Sequence, residues 1–192
     1  AGVTDAGSAY LYEWSGSAAV LVATITNPAP ANYDNFGYSV AGVGSNGFIV
    51  GAYQDDAGAG DAGSAYLYEW NGGVAVLVAM ITNPAPANND NFGKSVAGMG
   101  SNQFVVGAPG DDAGALDAGS AYLYEWSGSA AVLVATITNP SPANLEYFGN
   151  SVAGVGSNRF IVGAVEEDAG AVNAGSAYLY EWNGGVAVLV AM

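Results

Sequence analysis

The sequence predicts an all-β protein built of β-propeller blades, each of four antiparallel strands, with about three and a half blades in 192 residues. Three observations carry this. Asp5-Ala-Gly-Ser-Ala-Tyr-Leu-Tyr-Glu-Trp14 recurs at Asp61–Trp70, at Asp117–Trp126 and, with one change, at Asn173–Trp182, a period of 56 residues. Each period holds four short strand-like runs separated by turn clusters. No window places apolar residues at helical spacing between caps, and Gly and β-branched residues recur too often for a stable helix. Four strands per repeat of about 40–50 residues is the blade pattern, and a unit of this size would carry somewhat long loops. A β-solenoid is the rival architecture, but its rungs are shorter and lack tight hairpins.

The elements follow in order within one unit. Phe92–Met99 reads as the first strand, and Gly100-Ser-Asn102 is a turn cluster. Gln103–Ala108 is the second strand, rich in β-branched residues. Asp111–Gly119 is a long turn region. Ser120–Trp126 alternates, with Tyr122, Tyr124 and Trp126 on one face and Ala121, Leu123 and Glu125 on the other. Ser127-Gly-Ser129 is a tight turn, and its counterpart Asn71-Gly-Gly73 is a hairpin signal. Ala131–Ile137 is the fourth strand. The connector Thr138–Asn144 holds two prolines, which bar a central strand. Ala and Gly in the strands suit close sheet-to-sheet approach, leaving the large Tyr and Trp for the wider outer space.

Composition excludes several functions. There are 2 Lys+Arg against 17 Asp+Glu, no His and no Cys, for a net charge of −15. Without His or Cys there is no His-based triad, no Cys nucleophile, no Cys/His zinc site and no disulfide. With two basic residues there is no footprint for nucleic acid or anionic lipid. The apolar runs, such as Ala75–Ile81, are too short to span a bilayer. The first residues show no basic-then-apolar leader pattern.

Phe36-Gly37, Phe92-Gly93 and Phe148-Gly149 each precede Gly51-Ala-Tyr53, Gly107-Ala-Pro109 and Gly163-Ala-Val165 by a fixed distance. With the acidic turn and Gly-Ser-Ala-Tyr-Leu-Tyr that follow, this resembles the FG-GAP repeat, the blade unit of integrin-α-like β-propellers, and most of all its bacterial branch. The resemblance covers essentially the whole chain, although only the second copy keeps the full Gly-Ala-Pro. It implies a propeller, usually extracellular or at the cell surface, acting in adhesion or binding. Many integrin-type blades carry a calcium loop between their first two strands. Here that place is Gly44-Ser-Asn46, Gly100-Ser-Asn102 and Gly156-Ser-Asn158, which hold no carboxylate, so that site is not carried over.

If blades begin at Phe-Gly, residues 1–28 are a half blade of third and fourth strands, and 29–84, 85–140 and 141–192 are blades. Propellers close with four to eight blades. The ring is therefore expected to be completed by another chain or by a longer array, or the chains to stack into a fibre, since a non-closing head-to-tail contact propagates. A half blade also invites strand complementation.

Two residue sets are candidate sites. Asp55, Asp56, Asp61, Asp111, Asp112 and Asp117 stand in Gly-rich turns and offer oxygens to a hard cation such as calcium. The alternative is solvated turn residues bonding their own backbone. Asn32, Asp34, Asn88 and Asp90 lie in Asn-x-Asp-Asn-Phe-Gly stretches and could face a sugar; the alternative is an interblade connector. Glu13, Glu69, Glu125 and Glu181 could do paired-carboxylate glycoside chemistry, but identical placement in every blade points to structure. The Tyr/Trp stripe reads as blade packing. Lys94 and Arg159 occupy different repeat positions and form no site.

The expectation is a non-enzymatic extracellular repeat protein, structural or adhesive through chain-to-chain blade contacts. It self-associates and has a glycan or cell-surface protein as a further candidate partner. It binds no nucleic acid, inserts in no membrane and needs no cofactor, with calcium as the candidate ion. The alternative is a ligand-binding module for glycan or calcium that uses equivalent blade loops.

Overall fold

The computed structural model describes residues 3–192. It is all-β, with no helix among the described residues. Strands β1 (Ser8–Trp14) and β2 (Ala19–Thr26) form a two-stranded sheet. Three four-stranded antiparallel sheets follow in chain order. They are β3 (Ser39–Val43), β4 (Gly47–Ala52), β5 (Ser64–Trp70) and β6 (Ala75–Thr82); β7 (Ser95–Met99), β8 (Gln103–Ala108), β9 (Ser120–Trp126) and β10 (Ala131–Thr138); and β11 (Phe148–Val155), β12 (Arg159–Ala164), β13 (Ser176–Trp182) and β14 (Ala187–Ala191). Each is a meander of sequential strands, the blade form the hairpin signals predict.

The core lies between sheets. Alternation along β9 sends Tyr122 and Tyr124 to one apolar layer and Ala121 and Leu123 to the next. In the first layer the two tyrosines meet Leu67, Ala65 and Ile81 of the preceding blade. In the second, Leu123, Ala121 and Ile137 meet Tyr178 and Tyr180 of the following one. Every junction therefore joins an aromatic face to a small aliphatic face. Phe104 stacks on Tyr124 and Phe92 packs edge-on to it, with ring centroids 5.5 and 6.3 Å away. Such pairs add about 0.5–1.5 kcal/mol beyond area burial.

Sequence places Phe92 in the first strand, whereas β7 begins at Ser95. Residues 92–94 instead tie the blades together. Phe92 N donates to Ala62 O of the preceding blade at 2.9 Å, and its ring fills the aromatic layer. Gly93 (φ 88°) sits where a Cβ would lie 2.3 Å from Ser64 O, so only glycine lets the two backbones meet.

The first strands approach more closely still. A Cβ on Gly98 of β7 would lie 1.8 Å from Gly42 O of β3, and one on Gly154 of β11 would lie 2.1 Å from Gly98 O. The sheets thus diverge from a glycine seam at their first strands to an aromatic-filled gap at their third.

Candidate functional site

Two features are built from the repeat: a polar clasp at each connector and the open faces and edges at either end of the stack.

The clasp sits where a fourth strand leaves one blade for the next. Asn83 follows the last residue of β6 and precedes Pro84, whose ring turns the chain out of the sheet. Its Oδ1 accepts from Ala85 N at 3.0 Å, and its Nδ2 donates to Asp90 at 2.7 Å and to Asp111 at 3.1 Å. Asp90 also accepts from Ala87 N at 2.6 Å, and Tyr122 OH donates to Asp111. All but the exposed connector backbone is buried. The first connector repeats two of these bonds, Asn27 to Asp34 and Tyr66 to Asp55, and the third likewise has Asn139 to Glu146 and Tyr178 to Glu167, while the bond from the Asn to the second acid is made in the second connector. In the third, both acids have lengthened together from Asp to Glu.

Burial drives the electrostatics. It pushes the Asp90 carboxyl up to about 6, against the Ala87 N–H and reinforced by the charges of Asp111 and Asp112. Asp34 is raised for the same first reason. Burial also raises Tyr66, Tyr122 and Tyr178, keeping each a phenol donor to its carboxylate. In the third clasp Glu167 Oε2 is buried without a partner.

The acids expected in the turns divide their tasks. Asp55 and Asp111 turn inward to tyrosine hydroxyls. Asp56 and Asp112 accept from the backbone N–H of Asp61 and Asp117, each at 2.9 Å, which closes the turn. Asp61 and Asp117 hold positive φ of 53° and 50°, a conformation Asp tolerates. Among the described residues, no group of three acidic side chains converges to hold a metal. Of the second set, Asp34 and Asp90 are buried in the clasps. Asn32 and Asn88 are exposed and accept from Thr4 N and Gly60 N across the junction, at 2.9 and 3.0 Å. The structure brings Asp90 together with Asp111, members of different predicted sets, and adds Asn83 and Tyr122, which sequence reasoning missed. The signal for them was their own recurrence at the 56-residue period.

The strand glutamates pin neighbouring blades. Trp70 Nε1 donates to Glu13 at 3.1 Å and Trp126 Nε1 to Glu69 at 3.0 Å. Glu125 instead accepts from Asn102 and Gln103, and Glu181 pairs with Arg159 at 2.8 Å.

At one end of the stack, Tyr10, Tyr12 and Trp14 of β1 are exposed, although their counterparts in β5 and β9 are covered. At the other end, Val155 is 41% exposed where its counterpart Met99 is 1% exposed, and Ala177 is exposed where Ala65 and Ala121 are buried. One end is thus an uncovered aromatic face and the other an uncovered aliphatic face. Beside β1, Ala9, Leu11, Ile25, Val40, Phe48 and Val50 line an apolar cleft of about 420 Å³.

A family model described as the FG-GAP repeat matches residues 20–68, 76–124 and 132–180. Each match runs from a fourth strand across the connector into the third strand of the next blade, and so takes in a whole clasp and junction. A search of curated proteins found no match.

Proposed function

The chain belongs to the FG-GAP repeat family, and from that premise we propose that it is a non-enzymatic extracellular repeat protein whose task is assembly through blade-to-blade contacts. One observation carries the reading. The junction that the molecule makes internally, aromatic face on aliphatic face, is left unmade at both ends of the stack. A sheet with two apolar faces needs a like neighbour on each, and exposed apolar patches mark interaction sites. The aromatic face of β1 and the aliphatic face of β11–β14 are the two halves of one heterologous contact, which joins blade to blade in a longer array or copy to copy. The internal pins suggest the polar part of that contact, with Trp14 of one copy reaching Glu181 of the next as Trp70 reaches Glu13. A net charge of −15, screened by salt outside the cell, keeps such an assembly soluble while the apolar faces direct it.

Sedimentation velocity across a hundredfold concentration range tests this. Self-association is expected, and Ala177→Asp, which puts a charge on the exposed aliphatic face, should return the chain to monomer without lowering Tm. A parent chain monomeric at every concentration, or an Ala177→Asp chain that associates as before, overturns the reading.

A further inference from the structure

We propose that the polar cleft between the second and third blades, at the end of the sheets where first strands begin and second strands finish, binds a saccharide that carries a carboxylate. The cleft lies at a junction complete within the chain, so it exists whether or not copies associate.

The repeat itself marks the place. Across the three full units, six positions hold a different residue in every unit. Four of them are Tyr33/Asn89/Leu145, Tyr38/Lys94/Asn150, Tyr53/Pro109/Val165 and Gln54/Gly110/Glu166. The first two precede the ladder of the first strand, the last two directly follow the second strand, and those strands pair antiparallel. The four positions therefore meet at one end of the sheet. In the first unit Tyr38 packs on Tyr53 with ring centroids 4.5 Å apart, and Asn35 Nδ2 donates to Gln54. Exposure alone does not explain the variation, because the exposed Val76-Leu77 pair recurs unchanged as Val132-Leu133 and Val188-Leu189. Eight of the twelve tyrosines belong to the strand stripes, and the other four, Tyr33, Tyr38, Tyr53 and Tyr147, all stand in this loop cluster. A copied frame that presents one diversified loop cluster is the arrangement by which a rigid scaffold carries recognition.

Between the second and third blades these positions border a cleft of about 440 Å³, a volume typical of small-molecule sites. The second blade contributes Asn89, Lys94 and Asp117, and the third contributes Tyr147, Asn150 and Glu166. Pro109 and Val165 add apolar surface. Sequence spacing leaves Lys94 without a site, yet here it lines the cleft and, among the described residues, forms no ion pair in a chain of seventeen acids. Loss of water, with the charges of Asp117 and Glu166 beside it, raises the Tyr147 phenol, so these three polar groups converge. The groups dictate the ligand. A lone ammonium takes a carboxylate through a charge-assisted hydrogen bond. Amides beside carboxylates take groups that both donate and accept, as hydroxyls do. Pro109 and Val165 take a C–H face. A sugar acid combines all three in one small molecule, with its carboxylate on Lys94 and its hydroxyls on Asn150 and Glu166. A peptide main chain is a poor fit, because the cleft offers side chains rather than a strand edge to extend.

The test titrates the full chain with glucuronic acid and, separately, with glucose, the same ring with a hydroxymethyl group in place of the carboxylate. Calorimetry at physiological salt should show saturable one-to-one binding of glucuronate at millimolar concentrations, with glucose weaker by about fivefold or more. Lys94→Met keeps a stem of similar length without the charge and should erase that preference. Asn150→Ala should weaken both sugars. Arg159→Met, at the opposite end of β12, should change neither. Tm should match the parent in all three variants, since none of these side chains belongs to the buried layers. Absence of saturable glucuronate binding, equal affinity for glucose, a Lys94→Met chain that keeps the preference, or an Asn150→Ala chain that binds both sugars as before overturns the proposal.

Discussion

The carboxyl of Asp90 accepts two hydrogen bonds and is nonetheless held above the ordinary range, because burial and two neighbouring acids outweigh them. An unfolded aspartate loses its proton near 3.8, whereas this one keeps it to about 6. Between those values the native chain binds more protons than the unfolded chain. The stability contributed is therefore present in acid and lost as pH rises through about 6. Lowering the pH from 7.5 to 5 should raise Tm by about 2–4 °C for each kcal/mol so gained, and Asp90→Asn should remove a measurable part of that rise. Thermal melts of both proteins at five pH values check this, and identical slopes would refute it. Sequence reading singled out Asp34 and Asp90 in their Asn-x-Asp-Asn-Phe-Gly stretches and left two roles open for them, facing a sugar or bracing an interblade connector. What it lacked was the path of the connector. The prolines swing Asp90 back under β6, where Asn83 and Asp111 close around it. Spacing along the chain carries no record of that fold-back.

Strands were legible because alternation is a local property: the two faces of β9 can be read from Ser120–Trp126 alone, and both proved to be buried faces. Contacts between strands were less legible, since they depend on how closely two sheets approach. Phe92-Gly93 reads as strand from its neighbours but serves as an interblade tie. The glycine seam separates these two kinds of information. Gly42 and Gly98 occupy the same position in successive repeats, yet only Gly98 has a carbonyl 1.8 Å from where its Cβ would be. Gly98→Ala should therefore force the β3–β7 approach apart and cost about 1–3 kcal/mol, while Gly42→Ala should change stability by less than about 0.5 kcal/mol. Urea denaturation of the two variants beside the parent would decide the matter. Equal losses would mean that the seam does not set blade spacing.

Over the whole molecule, charge opposes what packing favours. Seventeen acids face two bases, and one of those bases, Arg159, is already paired with Glu181. The other, Lys94, lies 5.7 Å from the Tyr53 ring centroid. The acids repeat with the blades, so stacking blades also stacks like charges, and each clasp adds two more near one another. The apolar layers must overcome this repulsion at every junction. Screening should then strengthen the fold as a whole. Raising sodium chloride from 0.01 to 1 M shortens the screening length from about 30 to about 3 Å, and Tm should climb by several degrees. Calcium chloride at matched ionic strength separates general screening from a specific role for the acidic turns. If Asp56 and Asp112 serve only to close their turns, as their bonds to Asp61 N and Asp117 N provide, calcium and sodium should give the same Tm. A further rise with calcium, reversed by chelator and lost in Asp112→Asn, would instead assign those turns to a bound cation. A Tm that falls with added sodium chloride would show that repulsion among the acids is not what limits the stack.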